Sequence, residues 1–227
     1  SSSLRDEWAD WDQLSVEERE DYRKGITKAG KGSNSFDLSI SVFNPKTKDL
    51  HGFVESNGYI AIEAEHFSRR NKTQGQWETI QGLGRSGYSI TVLPTTLEAI
   101  SVPEKVLQQS PLVEYDLHLF TEGEIHLQLN CAPSNPINGD YGQRIAVALD
   151  DGPPKVIAYQ RGKKNVMDNL MTLHTQLKVQ KAGAHVLKIW MVDPGIVLDK
   201  IILDTGGVKE SYLGPPESSH IKTKTDD

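Results

Sequence analysis

Cysteine is nearly absent from this 227-residue chain, with Cys131 standing alone. No internal disulfide can form, so the chain is not a small scaffold stapled by disulfides. Long hydrophobic runs are missing as well: nothing approaches the roughly 20 apolar residues of a membrane-spanning helix, and no charged-then-apolar leader opens the sequence. Positive charge is in deficit, with 25 Lys and Arg against 31 Asp and Glu for a net charge of −6. The basic residues are scattered instead of forming a stripe, which argues against a nucleic-acid partner. Internal repeats and low-complexity segments are also lacking. What remains is a chain long enough to bury one large core unaided. It opens on Ser1-Ser2-Ser3 with no methionine, which suits a processed protein or an excised fragment, and the compartment stays open.

Two periodicities divide the chain. Leu4, Trp8 and Trp11 recur at helical spacing, and Ser15 with Glu18 forms a capping box, so residues 1–30 are expected to be a short helical extension of a preceding domain. Residues 31–57 then read as a connector and first strand. From Phe36 the period is two: Phe36, Leu38, Ile40 and Val42 alternate with polar residues, as do Val113, Tyr115, Leu117 and Leu119, and Ile125, Leu127 and Leu129. Further strands are expected at Tyr59–Glu65, Tyr88–Leu93, Arg144–Leu149, Val156–Gln160, Leu173–Val179, His185–Val192 and Val197–Leu203, with a helical turn around Pro103–Gln109. Many short strands without crossover helices give an all-β fold, a β-sandwich of jelly-roll type over residues 58–207. Residues 208–227 read as a C-terminal tail, frayed and polar over Glu217–Asp227.

Several constellations bear on chemistry. Gly82-Leu83-Gly84-Arg85-Ser86-Gly87 has the glycine spacing of a dinucleotide loop, but a strand pattern follows where that loop needs a helix, so it reads as a hairpin. Glu63 and Glu65, two apart, are expected on one strand face, where adjacent carboxylates need a cation or base between them. A solvated edge strand explains the pair equally well. The seven histidines show no metal or triad spacing, and no segment isolates a carboxylate pair for glycoside cleavage. Sugar recognition needs aromatic faces with amides and charges. The loop Asn130–Gly142, with Asn135, Asn138 and Tyr141, supplies that mixture beside Arg144, and Trp77, Tyr88, Arg85, Arg161, Lys163, Lys164 and Asn169 are candidates to converge there. Core tryptophans and tyrosines, and asparagines in turns, are the competing explanation.

Two stretches carry a family resemblance. Trp190 to Gly207 with Ser211 to Ser218, and Gly58 to Phe67 with its Glu63-Ala64-Glu65-His66-Phe67 run, resemble the end and the start of the C-terminal domain of glycoside hydrolase family 115, the xylan α-1,2-glucuronidases. The domain is also distantly similar to family 6 and family 35 carbohydrate-binding modules. That resemblance implies a structural Ca²⁺ held by Glu63, Glu65 and Asp199, with Asp204 as an alternative to Asp199. It places the catalytic machinery in an upstream domain, and favours a secreted or periplasmic parent enzyme. The module itself is then non-catalytic: it binds glucuronic-acid-decorated xylan or aldouronic acids, supports dimer and domain assembly, or does both. A purely structural domain with no sugar ligand is the alternative. A uronate is best held by Arg or Lys beside an aromatic face, which assigns recognition to Tyr141, Asn138 and Arg144 with Trp77 as platform.

Overall fold

The computed structural model describes residues 50–222 except 86, 101, 138–142, 160–169, 210 and 212–213. The helical segment, the strand expected at Phe36–Val42, and the candidates Asn138, Tyr141, Arg161, Lys163, Lys164 and Asn169 lie outside the described residues.

Among the described residues thirteen strands and one helix follow in order: β1 (Gly52–Val54), β2 (Tyr59–Glu63), β3 (Arg69–Arg70), β4 (Gln76–Gln81), β5 (Tyr88–Leu93), α1 (Pro103–Gln109), β6 (Leu112–Leu119), β7 (Gly123–Ala132), β8 (Arg144–Leu149), β9 (Lys155–Ala158), β10 (Met171–Val179), β11 (Gly183–Met191), β12 (Val197–Asp204) and β13 (His220–Ile221). They form two sheets, the β-sandwich that the period-two pattern predicts. One sheet runs β13-β1-β6-β11-β8-β9, with β3 also pairing β6; the other runs β10-β7-β12-β5-β4, with β2 also pairing β12. All pairings are antiparallel except β1 with β6.

Alternation decides the layers. Val113, Tyr115, Leu117 and Leu119 of β6 and Ile125, Leu127, Leu129 and Cys131 of β7 are buried in the core between the sheets, together with Ile189 of β11 and Ile201 and Leu203 of β12. A second apolar cluster gathers Val106 of α1 with Ala146, Ala148, Trp190 and Val192, so α1 covers one outward patch of the first sheet. This is why β8 is buried at successive positions where a half-exposed strand would alternate. Among the described residues no helix is long and apolar enough to cross a membrane.

Four strands escaped the sequence reading: β1, β3, β4 and β13. The end of the chain is the main difference. Residues 217–221, read as part of a frayed tail, instead form a strap along β2 and β1. Ser218 exchanges backbone and side-chain hydrogen bonds with Ala61, at 2.8 and 3.0 Å. Glu217 accepts from the Glu63 N–H at 2.9 Å, and β13 then pairs with β1. The hydrogen-bonding demand of the edge of β2 orders a polar segment that composition alone marks as loose.

Candidate functional site

A cleft of about 690 Å³ lies where the β1–β13 edge of the first sheet meets the turn after β2. Its walls carry His51, Phe53, Glu65, His66, Phe67, Ser68, Asp116, Glu217, His220 and Lys222. Outward alternation on β6 brings in Asp116, whose two oxygens accept from Arg69 at 2.7 and 2.8 Å while His51 lies 3.0 Å away. Burial pushes the Asp116 carboxyl up, but the Arg69 guanidinium outweighs it and leaves the pKa below the ordinary value. Glu217 is engaged by His66 at 2.8 Å and by the Glu63 N–H. Burial works to lower the His66 pKa, yet the Glu217 hydrogen bond and the surrounding carboxylates raise it overall. The Phe53 and His220 rings meet edge to face at 4.6 Å, and Arg70 sits 5.5 Å from the centre of the Phe67 ring.

Glu65 differs from its neighbours. Its Oε2 is buried and finds no hydrogen-bond donor among the described residues, and burial raises its pKa. Sequence periodicity placed Glu65 beside Glu63 on one strand face, but β2 ends at Glu63 and the chain turns at Ala64 and Glu65. The two carboxylates therefore line different clefts.

Glu63 belongs to a second cleft of about 310 Å³ with Arg85, Asn130, Asp199, Lys200, Gly214, Pro215 and Pro216. Lys200 Nζ approaches Glu63 at 2.8 Å and donates to the Pro215 carbonyl at 3.2 Å. Asp199 accepts from the Arg85 N–H at 3.1 and 3.2 Å and from the Ser89 hydroxyl at 3.3 Å. Burial raises its pKa, and the nearby Glu63 adds to the shift. The glycine pattern at 82–87 is indeed the β4–β5 hairpin loop, closed by Gly82 N–H to Gly87 O at 2.7 Å. Gly84 has a steric reason: a Cβ there would lie 2.0 Å from Asp199 Oδ1.

These positions decide whether the implied Ca²⁺ fits. Calcium takes six to eight oxygens, whereas Glu63 already faces an ammonium group and Glu65 sits in the other cleft. Among the described residues no group of three or more His, Cys, Asp or Glu side chains is placed to hold a metal ion. Asp204 is occupied as well, capping the N–H groups of Gly206, Gly207 and Val208 at 2.8 to 3.2 Å. The carboxylates do not form one donor set.

The expected sugar residues also separate. Trp77 is 1 % exposed in the core, its indole N–H donating to Pro111 O at 3.1 Å, and offers no platform. Arg144 is committed to Asp193, with Nε and the terminal nitrogen at 2.7 and 2.8 Å from its two oxygens. Its guanidinium thus locks the 193–195 turn and is not presented to a uronate. Asn135 is exposed in the loop after β7, near that turn, whereas Tyr88 is exposed at the hairpin end of β5. The first cleft was missed because its residues come from four separated segments, and only the Glu65-His66-Phe67 run hinted at it.

The residues 52–217 match the family model of the glycosyl hydrolase family 115 C-terminal domain. No curated protein matches the chain. Among solved structures, the family GH115 4-O-methyl-α-glucuronidase BtGH115A, described as having specificity for decorated arabinogalactans, aligns at 20 % identity and a TM-score of 0.50. The alignment covers 66 % of this chain and 18 % of that enzyme, so the chain corresponds to a small part of the enzyme's length. The C-terminal CBM6 of LamC, a marine laminarinase from Zobellia galactanivorans, aligns at 15 % identity with a TM-score of 0.43, covering 64 % of this chain and 98 % of the module. A Podospora anserina GH26-CBM35 β-(1,4)-mannanase aligns at 17 % identity with a TM-score of 0.44, covering 68 % of this chain and 29 % of the mannanase. With the family model spanning well over half of its length, the chain belongs to the glycoside hydrolase family 115 C-terminal domains.

Proposed function

We propose that this chain is the non-catalytic C-terminal module of an α-glucuronidase acting on uronic-acid-decorated polysaccharide such as glucuronoxylan, and that it binds the polysaccharide without cleaving it. Its partner in the parent protein is the catalytic domain, which the bound polymer is kept beside. The observation that carries this reading is the open cleft at the β1–β13 edge, with phenylalanine and histidine rings and one carboxylate, Glu65, not fully hydrogen-bonded. Carbohydrate sites have this make-up: flat apolar faces for C–H surfaces and a few polar groups for hydroxyls.

Cleavage is not supported by the same geometry. A glycosidase needs an acid and a second carboxylate serving as base or nucleophile. Glu65 has the raised pKa of an acid, but Asp116 is paired with Arg69 and Glu217 with His66. Affinity electrophoresis of the 227-residue chain through gels containing glucuronoxylan or arabinogalactan tests the reading. Retardation by either polymer without release of uronic acid supports it. Unretarded migration in both leaves the assembly role without a sugar ligand.

A further inference from the structure

Charge in the first cleft separates two kinds of sugar. Glu65, Asp116 and Glu217 contribute three carboxylates to its walls, against Lys222 and the imidazoles of His51, His66 and His220, of which His66 is engaged by Glu217 and His51 by Asp116. Arg69 is spent on Asp116 and also donates to Glu114 at 2.9 Å, and Arg70, over the Phe67 ring, is paired with Glu78 at 2.8 Å. A uronate brought here would meet like charge without a free guanidinium to hold it, whereas carboxylates readily accept from neutral sugar hydroxyls. We infer that this cleft takes the neutral backbone sugars of the polysaccharide and not its uronate decoration, with Glu65 accepting hydroxyls and Phe67 and His220 bounding the ring. The inference rests on the sugar-binding reading above and names the ligand class at that site.

Glu65 is the acceptor because the other two carboxylates already have strong donors. Its terminal torsion is soft, so bringing the unbonded Oε2 to a ligand hydroxyl works only against the hydrogen bond that the carboxylate accepts from its own backbone N–H. The division of labour follows: the module holds the backbone, leaving the charged side branch to the catalytic domain.

The test is calorimetric titration of the 227-residue chain with two neutral probes, xylotetraose and β-1,3-galactotriose, and with aldouronic acid and free glucuronate, at low and high salt. The expected result is binding of at least one neutral probe with little salt dependence, aldouronic acid gaining less than about threefold over xylotetraose, and no binding of free glucuronate. Glu65→Gln should weaken binding of the neutral probe about tenfold, a loss of one charge-assisted hydrogen bond. Its melting temperature should not fall, because burial already penalises that charge. Aldouronic acid bound tenfold tighter than xylotetraose, with affinity collapsing in salt, overturns the inference while leaving a sugar-binding module intact. Neutral binding unchanged in Glu65→Gln moves the site elsewhere and also overturns it. Binding of none of the four probes removes the sugar-binding reading itself, and the inference with it.

Discussion

Lys200 holds its ammonium 2.8 Å from the Glu63 carboxylate, across the β2–β12 pairing in which the two residues are direct partners. The Lys200 and Glu63 side chains are 10 % and 14 % exposed, so the pair is largely screened from water. An internal cation thus sits beside one of the carboxylates that the family resemblance assigns to calcium. Lys200→Met removes the ammonium from Glu63 and from the neighbouring Asp199, costing about 3 kcal/mol. Thermal melting of the wild type should be indifferent to chelator and to millimolar Ca²⁺, whereas Lys200→Met should be less stable. A wild-type melting temperature that falls on chelation would show that a metal is resident and that the lysine is no substitute for it.

The sandwich was legible because alternation is a backbone property: strands β2, β5, β6, β7, β8, β9, β10, β11 and β12 were all anticipated, and α1 was anticipated as a helical turn. β4 was hidden because its pattern, Gln76-Trp77-Glu78-Thr79-Ile80-Gln81, has only two apolar residues, spaced three apart. β1 and β13 are too short to show a period, and their pairing is set by contacts between segments far apart in sequence. The site was less legible still. Arg144 and Trp77 have the side chains of a uronate site, but chemistry on a list does not reveal commitment. The loss of Arg144 to Asp193, and of Trp77 to the core, depends on which neighbours folding supplies. Glu65 and Glu63 were separated by the end of one strand, a boundary that periodicity does not fix to a single residue.

Arg144 and Asp193 make a testable contrast with a binding role. Asp193 is 4 % exposed, and it accepts from the Arg144 N–H at 2.9 Å as well as from the guanidinium. Arg144→Ala should cost about 3–5 kcal/mol in chemical denaturation, since it strands a buried carboxylate. Arg144→Lys should recover only part, because an ammonium cannot reproduce the two-pronged contact. Equal stability of wild type and Arg144→Ala in urea titration would show that the pair is not structural.

Acid should attack the fold through Glu55. This buried carboxylate accepts from the Phe120 and Thr121 N–H groups at 2.6 and 2.9 Å, and from the Thr121 and Thr205 hydroxyls at 2.6 Å each. Burial pushes its pKa up, but those four donors outweigh burial and leave it lowered from 4.5. A lowered carboxylate pKa stabilises the fold fully above the unfolded value of 4.5, and the gain is lost as pH falls through the folded value. Glu65 and Asp199, with raised pKa values, act with the opposite sign and soften the decline. Glu55→Gln should therefore lower stability by about 2 kcal/mol near neutrality and flatten the loss below pH 4.5. A Glu55→Gln variant whose stability falls with acid as steeply as that of wild type contradicts this assignment.

Binding without cleavage is the central claim, and one mixture tests both halves of it. The 227-residue chain is incubated with soluble glucuronoxylan and, separately, arabinogalactan, and the same samples are assayed for released uronic acid and run by affinity electrophoresis against Glu65→Gln. The account predicts retardation by at least one polymer, reduced in Glu65→Gln, with no uronic acid released. Uronic acid freed by the purified chain, or migration untouched by both polymers, would contradict it.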